Sequence, residues 1–151
     1  MKEIITTSPE ETIALGERVA KALKKGDVVA LNGDLGAGKT VFAKGMARGL
    51  GLMDYAHVNS PTFVIMKEYH GDLPLYHFDV YRLEERDFED TVDYNDYFYG
   101  DGISVIEWAE KIAEVLPEDH LEIKITGKSI SERSFLFLPH GAYYEKIVME
   151  I

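Results

Sequence analysis

The segment Gly33–Thr40, GDLGAGKT, constrains the fold of this chain more than any other stretch of its sequence. It matches the pattern G-x-x-x-x-G-K-[ST] at every fixed position. Glycines let the backbone curl so that successive N–H groups face phosphate oxygens, and the following helix adds the positive end of its dipole. The preceding run Asp27–Asn32 is apolar and too short for a helix, which indicates a buried strand, and helical spacing continues to about Leu50. The sequence therefore predicts a strand–loop–helix unit that binds the phosphates of a nucleotide.

Four side chains are candidates for the chemistry around those phosphates. Lys39 supplies a mobile cation for the β- and γ-phosphates, and the Thr40 hydroxyl is an oxygen ligand for Mg²⁺. Asp79 ends the apolar run LYHFD and Glu107 ends the run ISVIE, and open α/β sheets bind ligands at the carboxyl ends of their strands. Asp79 is interpreted as a Mg²⁺-holding Walker-B aspartate or as a turn cap. Glu107 is interpreted as a metal ligand, a water-orienting base or a surface residue. The predicted catalytic set is Lys39, Asp79 and Glu107, and the predicted metal set is Thr40, Asp79 and Glu107.

The alternation of strand and helix patterns indicates one α/β domain over residues 1–151, with a mixed, partly parallel sheet. Lys2–Thr6 is a candidate edge strand, and Ser8 with Glu11 forms a capping-box pattern for a helix that we expect to end at Gly26. Strands are also predicted at Thr62–Tyr69 and Leu75–Arg82, which form a predicted hairpin, and at Gly102–Glu107, His120–Thr126 and Ser134–Leu138. Short helices are predicted within Glu84–Asp101 and at Ala109–Val115, and Ala142–Glu150 fits either a helix or a strand.

The chain is strongly acidic, with 16 Lys and Arg, 27 Asp and Glu and a formal net charge of −11. Proteins whose main surface binds nucleic acid are usually basic, so we expect no direct binding of RNA or DNA. The acidity is concentrated between Asp79 and Asp101, where nine acidic and two basic residues give a net charge of −7. This acidic segment is either a solvated surface or a docking face for a basic patch on a partner.

The absence of cysteine excludes disulfides, thiolate metal sites and a cysteine nucleophile. No apolar run approaches the roughly 18 residues of a membrane-spanning helix. The N-terminal stretch MKEIITTSPEE lacks the apolar region of a signal peptide. We therefore expect a cytoplasmic protein that does not bind membranes.

Three further features are weaker candidates. Ser60–Phe63, SPTF, either places hydroxyls near a γ-phosphate or forms an ordinary proline turn. Arg82 and Arg86 follow the strand that ends at Asp79, and either could supply an arginine to a phosphoryl transition state. The five histidines match no metal-ligand spacing and are interpreted as solvated or packed: His57, His70, His77, His120 and His140.

The motifs occur in a recognisable order: GDLGAGKT, NSPTF at Asn59–Phe63, YHFDVYRL at Tyr76–Leu83, DYF at Asp96–Phe98 and IEWAE at Ile106–Glu110. In this combination, over nearly the whole chain, the sequence resembles the TsaE family of bacterial ATPases in tRNA threonylcarbamoyladenosine (t6A) synthesis. The resemblance implies a three-layer α/β/α P-loop NTPase-like domain that binds ATP with Mg²⁺ and hydrolyses it slowly alone. It also implies action with TsaB and with TsaD, which transfers threonylcarbamoyl to adenosine 37 of tRNAs reading ANN codons. The tRNA would then be reached only through that complex.

The resemblance also implies roles for individual residues. Gly36–Val41 would contact phosphates, Thr40 and Glu107 would serve Mg²⁺, and Asp79 would be the Walker-B acid beside Trp108. Ser8 and Arg133, which are distant from the loop in the sequence, would reach the base or ribose. The nucleotide-binding set is then Ser8, Gly33, Asp34, Gly36, Ala37, Gly38, Lys39, Thr40, Val41 and Arg133. The chain departs from the family at Val92-Asp93-Tyr94, where relatives commonly have a glycine.

Three other functions are compatible with a phosphate loop. A GTPase is disfavoured because no NKxD motif and no DxxG after the second strand are found. A small-molecule kinase usually carries several arginines in a lid, whereas the five arginines here are scattered. A nucleotide-dependent interaction module would keep ATP binding and partners but would show no turnover.

Overall fold

The computed structural model describes residues 1–34, 36–61, 65–91 and 93–151. Within these residues the strands are β1 Lys2–Thr6, β2 Val28–Gly33, β3 Met66–His70, β4 Pro74–Asp79, β5 Ile103–Glu107, β6 His120–Gly127 and β7 Arg133–His140. The α-helices are α1 Pro9–Ala22, α2 Lys39–Gly49, α3 Glu85–Thr91, α4 Tyr94–Phe98 and α5 Ala142–Glu150. The strands form one sheet in the order β1-β7-β6-β2-β5-β4-β3. Its four central strands are parallel, and antiparallel pairs complete both edges.

Each face of the sheet carries its own hydrophobic core, because side chains alternate along the strands. In β2, Val29 packs into a core formed with α1, α2 and α5. Its neighbour Val28 packs into a second core on the other face, with Phe88 of α3 and Phe98 of α4. The predicted three-layer α/β/α arrangement with a mixed, partly parallel sheet is confirmed.

The phosphate-loop segment follows the predicted path from β2 into α2. Gly38 has a φ of 111° immediately before Lys39, the first residue of α2. A Cβ on Gly33 would lie 2.5 Å from the carbonyl oxygen of Ile125, so glycine is needed where the loop leaves the sheet beside β6. The loop residue Leu35 lies outside the described residues.

Helices α1 and α2 touch backbone to backbone, which anchors the helix that follows the phosphate loop. A Cβ on Gly16 of α1 would lie 2.4 Å from the carbonyl oxygen of Phe42. A Cβ on Gly45 of α2 would lie 2.2 Å from the carbonyl oxygen of Ile13. No side chain fits at these separations, so the crossing requires glycine on both helices.

The predicted strand Leu75–Arg82 is shorter in the structure and ends at Asp79. The Asp79 carboxylate accepts a hydrogen bond from the Tyr81 N–H at 2.9 Å, and this local bond turns the chain away from the sheet. The first strand of the predicted hairpin begins only at Met66, because Ile65 has a φ of 71° that a strand cannot accommodate. The residues before it, 62–64, lie outside the described residues.

The first helix begins as predicted, with Ser8 as its N-cap, but it ends earlier than predicted. It ends at Ala22, and Gly26, with a φ of 88°, instead turns the chain into β2. At the start, the Ser8 hydroxyl accepts from the Glu11 N–H at 3.1 Å as a capping box requires. The Glu11 carboxylate, however, accepts from the N–H of Thr7 at 2.8 Å.

Two other segments are now assigned. Ala109–Val115 is a 3₁₀ helix interrupted by non-helical dihedrals at Ile112. Ala142–Glu150, which fitted two structures, is α5, and it buries Tyr144, Ile147 and Val148 at helical spacing. Within the described ranges, no helix is long and apolar enough to cross a membrane.

Replacing Gly45 by alanine is expected to destabilise the protein by about 1–3 kcal/mol, because the new methyl group collides with the Ile13 carbonyl and overpacks the crossing. This cost outweighs the roughly 1 kcal/mol by which alanine favours a helix over glycine. Denaturant unfolding measures the change. The control is Gly127→Ala, whose methyl group meets the Arg133 guanidinium only at 3.9 Å. Equal midpoints for the two variants would contradict the close helix crossing.

Candidate functional site

The parallel pairing of the central strands brings the predicted acids together. Asp79, the last residue of β4, is paired with Glu107, the last residue of β5. Glu107 is in turn paired with Leu31 of β2, two residues before the phosphate loop begins. Both carboxylates therefore lie at the end of the sheet where the phosphate loop turns into α2.

A cavity of about 440 Å³ lies at this end of the sheet. The catalytic and metal candidates all line it, together with aromatic and hydroxyl groups. Its lining residues are Gly36, Gly38, Lys39, Thr40, Val41, Ser60, Asp79, Tyr81, Arg82, Glu107 and Trp108. The structure thus brings together four side chains that are up to 68 positions apart in the sequence.

Lys39 is a nearly buried cation, with 5 % of its surface exposed. Its ammonium donates to the carbonyl oxygens of Gly33 at 2.6 Å and Asp34 at 2.9 Å. It also lies 4.1 Å from the ring centre of Trp108. Burial lowers the pKa of Lys39, while nearby carboxylates, Glu107 foremost, act in the opposite direction. Backbone dipoles and an aromatic face thus stabilise a charge that an anion would stabilise better.

Glu107 is held by hydrogen bonds inside the protein. The Thr40 hydroxyl lies 3.1 Å from its Oε1 and 3.2 Å from its Oε2. His77 Nε2 lies 2.5 Å from Oε2. With 3 % of its surface exposed, Glu107 is a buried carboxylate, so the surface interpretation is wrong. Its contact with Thr40 joins the phosphate-loop helix to the end of β5.

Asp79 contributes to both the turn and the cavity. Its Oδ1 accepts from the Tyr81 N–H, and its Oδ2 accepts from the Ser60 hydroxyl. The two alternatives for Asp79, a turn cap and a site carboxylate, are therefore compatible. Ser60 is a cavity residue, whereas its predicted neighbours Thr62 and Phe63 lie outside the described residues.

The candidate arginines and the tryptophan differ in position. Arg82 lines the cavity, whereas the side chain of Arg86 lies outside the described part of the chain. Trp108 follows β5 with a φ of 64°, which turns its ring toward the phosphate loop. Its ring packs at 4.7 Å from the ring of Tyr81. Lys39, Trp108 and Tyr81 thus form a continuous contact at the cavity wall.

Ser8 and Arg133 do not line the cavity that holds the carboxylates. They line a smaller pocket of about 110 Å³, which shares Gly36, Gly38 and Val41 with the main cavity. One Arg133 nitrogen lies 3.5 Å from the Gly36 carbonyl oxygen. Their predicted contacts with a base or ribose stay predictions.

Sequence reasoning missed His77 as a member of this site. It is fully buried and bonds to Glu107, so the interpretation as a packed histidine holds but omits its partner. Alternate residues of a strand lie on the same face of a sheet, so His77 lies on the same face of β4 as Asp79. This spacing could have identified His77 from the sequence.

The oxygen donors fit a magnesium ion. Thr40 offers a hydroxyl, and Glu107 and Asp79 offer carboxylates at the same end of the sheet. Mg²⁺ prefers oxygen ligands, and near phosphates it needs only one or two carboxylates because water and phosphate fill the other positions.

A phosphate loop between β2 and α2, with carboxylates at the ends of the parallel strands β5 and β4, defines a P-loop protein of the three-layer α/β class. The family model described as "Threonylcarbamoyl adenosine biosynthesis protein TsaE" matches residues 6–135. The chain therefore belongs to the TsaE family.

Individual relatives agree with this assignment. The chain is 48 % identical to the tRNA threonylcarbamoyladenosine biosynthesis protein TsaE of Bacillus subtilis, over 97 % of this chain and 90 % of the relative. The protein of the same name from Treponema pallidum is 44 % identical, over 80 % of this chain and 88 % of that one. The crystal structure of Bacillus subtilis YdiB superimposes with a TM-score of 0.82 at 41 % identity, covering 99 % of this chain and 92 % of that chain.

Replacing Lys39 by methionine is expected to change the emission of Trp108, the only tryptophan in the chain, because it removes a charge 4.1 Å from the indole ring. The fluorescence spectrum of the ligand-free protein measures the effect. Lys124→Met, at an exposed position of β6, is the control and should leave the spectrum unchanged. Identical spectra for wild type and a folded Lys39→Met variant would contradict the contact.

Proposed function

We propose that this chain is a Mg²⁺-dependent ATPase that supports the TsaB–TsaD complex in forming t6A on tRNA in the cytoplasm. The observation that carries the proposal is the convergence of Lys39, Thr40, Asp79 and Glu107 on one cavity beside the phosphate loop. Family membership supports the role in t6A biosynthesis.

Lys39 and the loop backbone would hold the phosphates. The Lys39 ammonium is desolvated and bonded to carbonyl groups, so phosphate oxygens are better partners for it than its present ones. The N–H groups in the first turn of α2 have no partners within the helix, and residues Lys39, Thr40 and Val41 of that turn line the same cavity, so these groups would attract the same anion. Ser8 and Arg133 would contact the ribose or base from the adjoining pocket.

Thr40 and Glu107 would hold the magnesium ion, with Asp79 in support. When bound, the ion neutralises charge on the phosphates of the nucleotide. Glu107 suits the metal-ligand role better than the role of general base, because His77 and Thr40 hold its two oxygens in place beside a second candidate metal ligand, the Thr40 hydroxyl.

The chain's own residues would mainly position the reacting groups. Phosphoryl transfer to water leaves little covalent work for the protein, so placement and charge stabilisation supply the catalysis. Arg82 lines the cavity and is the candidate for stabilising charge on the transferred group. A donor supplied by a partner is the alternative, and it would explain slow hydrolysis by the chain alone.

The test is t6A formation from purified TsaB, TsaD, tRNA and supplied threonylcarbamoyl adenylate, with and without this protein. Repeated turnover should require the chain with ATP, and Glu107→Ala should abolish that support. Lys39→Ala should weaken ATP binding about 10- to 100-fold, because it removes hydrogen bonds from a charged donor. Lys146→Ala, at an exposed lysine of α5, is the control.

The outcomes separate the alternatives. Turnover that is independent of this chain, or unchanged in Glu107→Ala, would contradict the t6A role. Support of turnover without phosphate release would indicate an interaction module. Phosphorylation of a small metabolite would indicate a kinase.

The acidic segment, Asp79–Asp101, is the proposed docking face for that complex. Reversing charge with Glu89→Lys and Asp90→Lys should weaken docking roughly tenfold and leave ATP affinity unchanged. The reason is that charges at an interface rim act on the partner and not on the ATP cavity. The control with the same charge change is Glu118→Lys with Glu150→Lys, both exposed and outside the segment. Binding titrations at two salt concentrations measure the effect, and equal loss in both double variants would contradict a localised docking face.

A further inference from the structure

His77 lies beneath the cavity, on the strand that ends at Asp79. It is fully buried, and it is not among the residues that line the cavity. A nucleotide in the cavity would therefore not touch it. Its link to the site is the hydrogen bond between its Nε2 and Glu107 Oε2, at 2.5 Å. Within the described part of the chain, the side chain of His77 therefore reaches the site through Glu107.

The sheet register explains why these two side chains meet. His77 is paired with Val105 of β5, and Glu107 is two residues further along that strand on the same face. The imidazole thus reaches diagonally to the carboxylate. Because both side chains project from central strands, the backbone positions of donor and acceptor are set by the sheet.

The contact also assigns the proton on the imidazole. A carboxylate oxygen can only accept, so Nε2 carries the hydrogen and donates it. The other nitrogen, Nδ1, is buried and has no hydrogen-bond partner among the described residues. Among the described residues, the hydrogen bond that orients the ring is therefore the one to Glu107, and it in turn orients Glu107.

We propose that His77 is a positioning residue that holds Glu107 Oε2 so that Oε1 stays beside the Thr40 hydroxyl, ready for a metal ion. The inference rests on the proposed function, because it assigns Glu107 to the metal. Thr40 is itself a candidate metal ligand, so it cannot fix Glu107 independently of the ion. His77 does not line the cavity, so it can donate to Glu107 without competing with the ion for that ligand. Such outer partners of a ligand typically change metal affinity 10- to 100-fold.

Two amide variants separate the roles of the ring nitrogens. In His77→Gln the side-chain nitrogen lies as many bonds from Cα as Nε2, so it can still donate to Glu107. In His77→Asn the nitrogen corresponds to Nδ1 and is too short to reach. Both variants place an amide in the same buried position, so a general effect of burying an amide appears in both.

The measurement is Mn²⁺ binding to the protein–ADP complex by electron paramagnetic resonance. His77→Asn should weaken Mn²⁺ binding about 10- to 100-fold, and His77→Gln should remain within about threefold of wild type. Metal-free ADP affinity, followed by Trp108 emission in EDTA, should be the same in all three proteins. Adding His77→Asn to Glu107→Gln should cause little further loss, because the two residues act as one unit.

Unchanged Mn²⁺ affinity in His77→Asn, or equal losses in the two amide variants, would overturn the positioning role alone. The same conclusion follows if His77→Asn keeps its full effect in the Glu107→Gln background. A wild-type chain that binds neither ADP nor Mn²⁺–ADP would instead overturn the proposed function, and the inference with it. If the variants do not fold, ¹⁵N NMR of the wild-type histidines decides the matter: a His77 proton on Nδ1 contradicts the proposal, and one on Nε2 supports it.

Discussion

The parallel pairing of β2, β5 and β4 is the constraint on which the rest of the site depends. Parallel strands end at the same edge of a sheet, so Asp79, Glu107 and the start of the phosphate loop meet there although they are far apart in the sequence. The contact between the backbones of α1 and α2 holds the helix behind the loop. The site is therefore built on rigid elements, with its charged groups at their ends.

The site also concentrates buried charge of both signs. Lys39, Asp79 and Glu107 each expose 5 % or less of their surface, and none of the three is a surface ion pair. Burying charged groups costs free energy unless hydrogen bonds compensate. Here carbonyl groups stabilise the cation, and hydroxyl, amide and imidazole donors stabilise the anions. These hydrogen bonds compensate for part of the free energy that burying the three charges costs.

Much of this arrangement follows from local patterns in the sequence. The phosphate loop is contiguous, and Asp79 and Glu107 each end a short apolar run, so strand, loop and acids are predictable. The end of β4 is not predictable in this way, because it depends on one hydrogen bond from the Tyr81 N–H to the Asp79 carboxylate. The partnership of His77 and Glu107 needs the register of two strands 30 residues apart, which no local pattern contains. The helix α5 was ambiguous because a segment of nine residues fits both periodicities.

The hydrogen bond from Thr40 to Glu107 has a consequence for binding energetics. It places a hydroxyl from the phosphate-loop helix and a carboxylate from the sheet at one point, a short distance from the Lys39 charge. A polyphosphate that entered alone would be attracted by Lys39 and repelled by the carboxylates. A cation that entered alone would be attracted by the carboxylates and repelled by Lys39. Entering together, each relieves the repulsion felt by the other, so their affinities are thermodynamically linked. Such linkage is reciprocal: if the cation raises the affinity for the nucleotide by some factor, the nucleotide raises the affinity for the cation by the same factor.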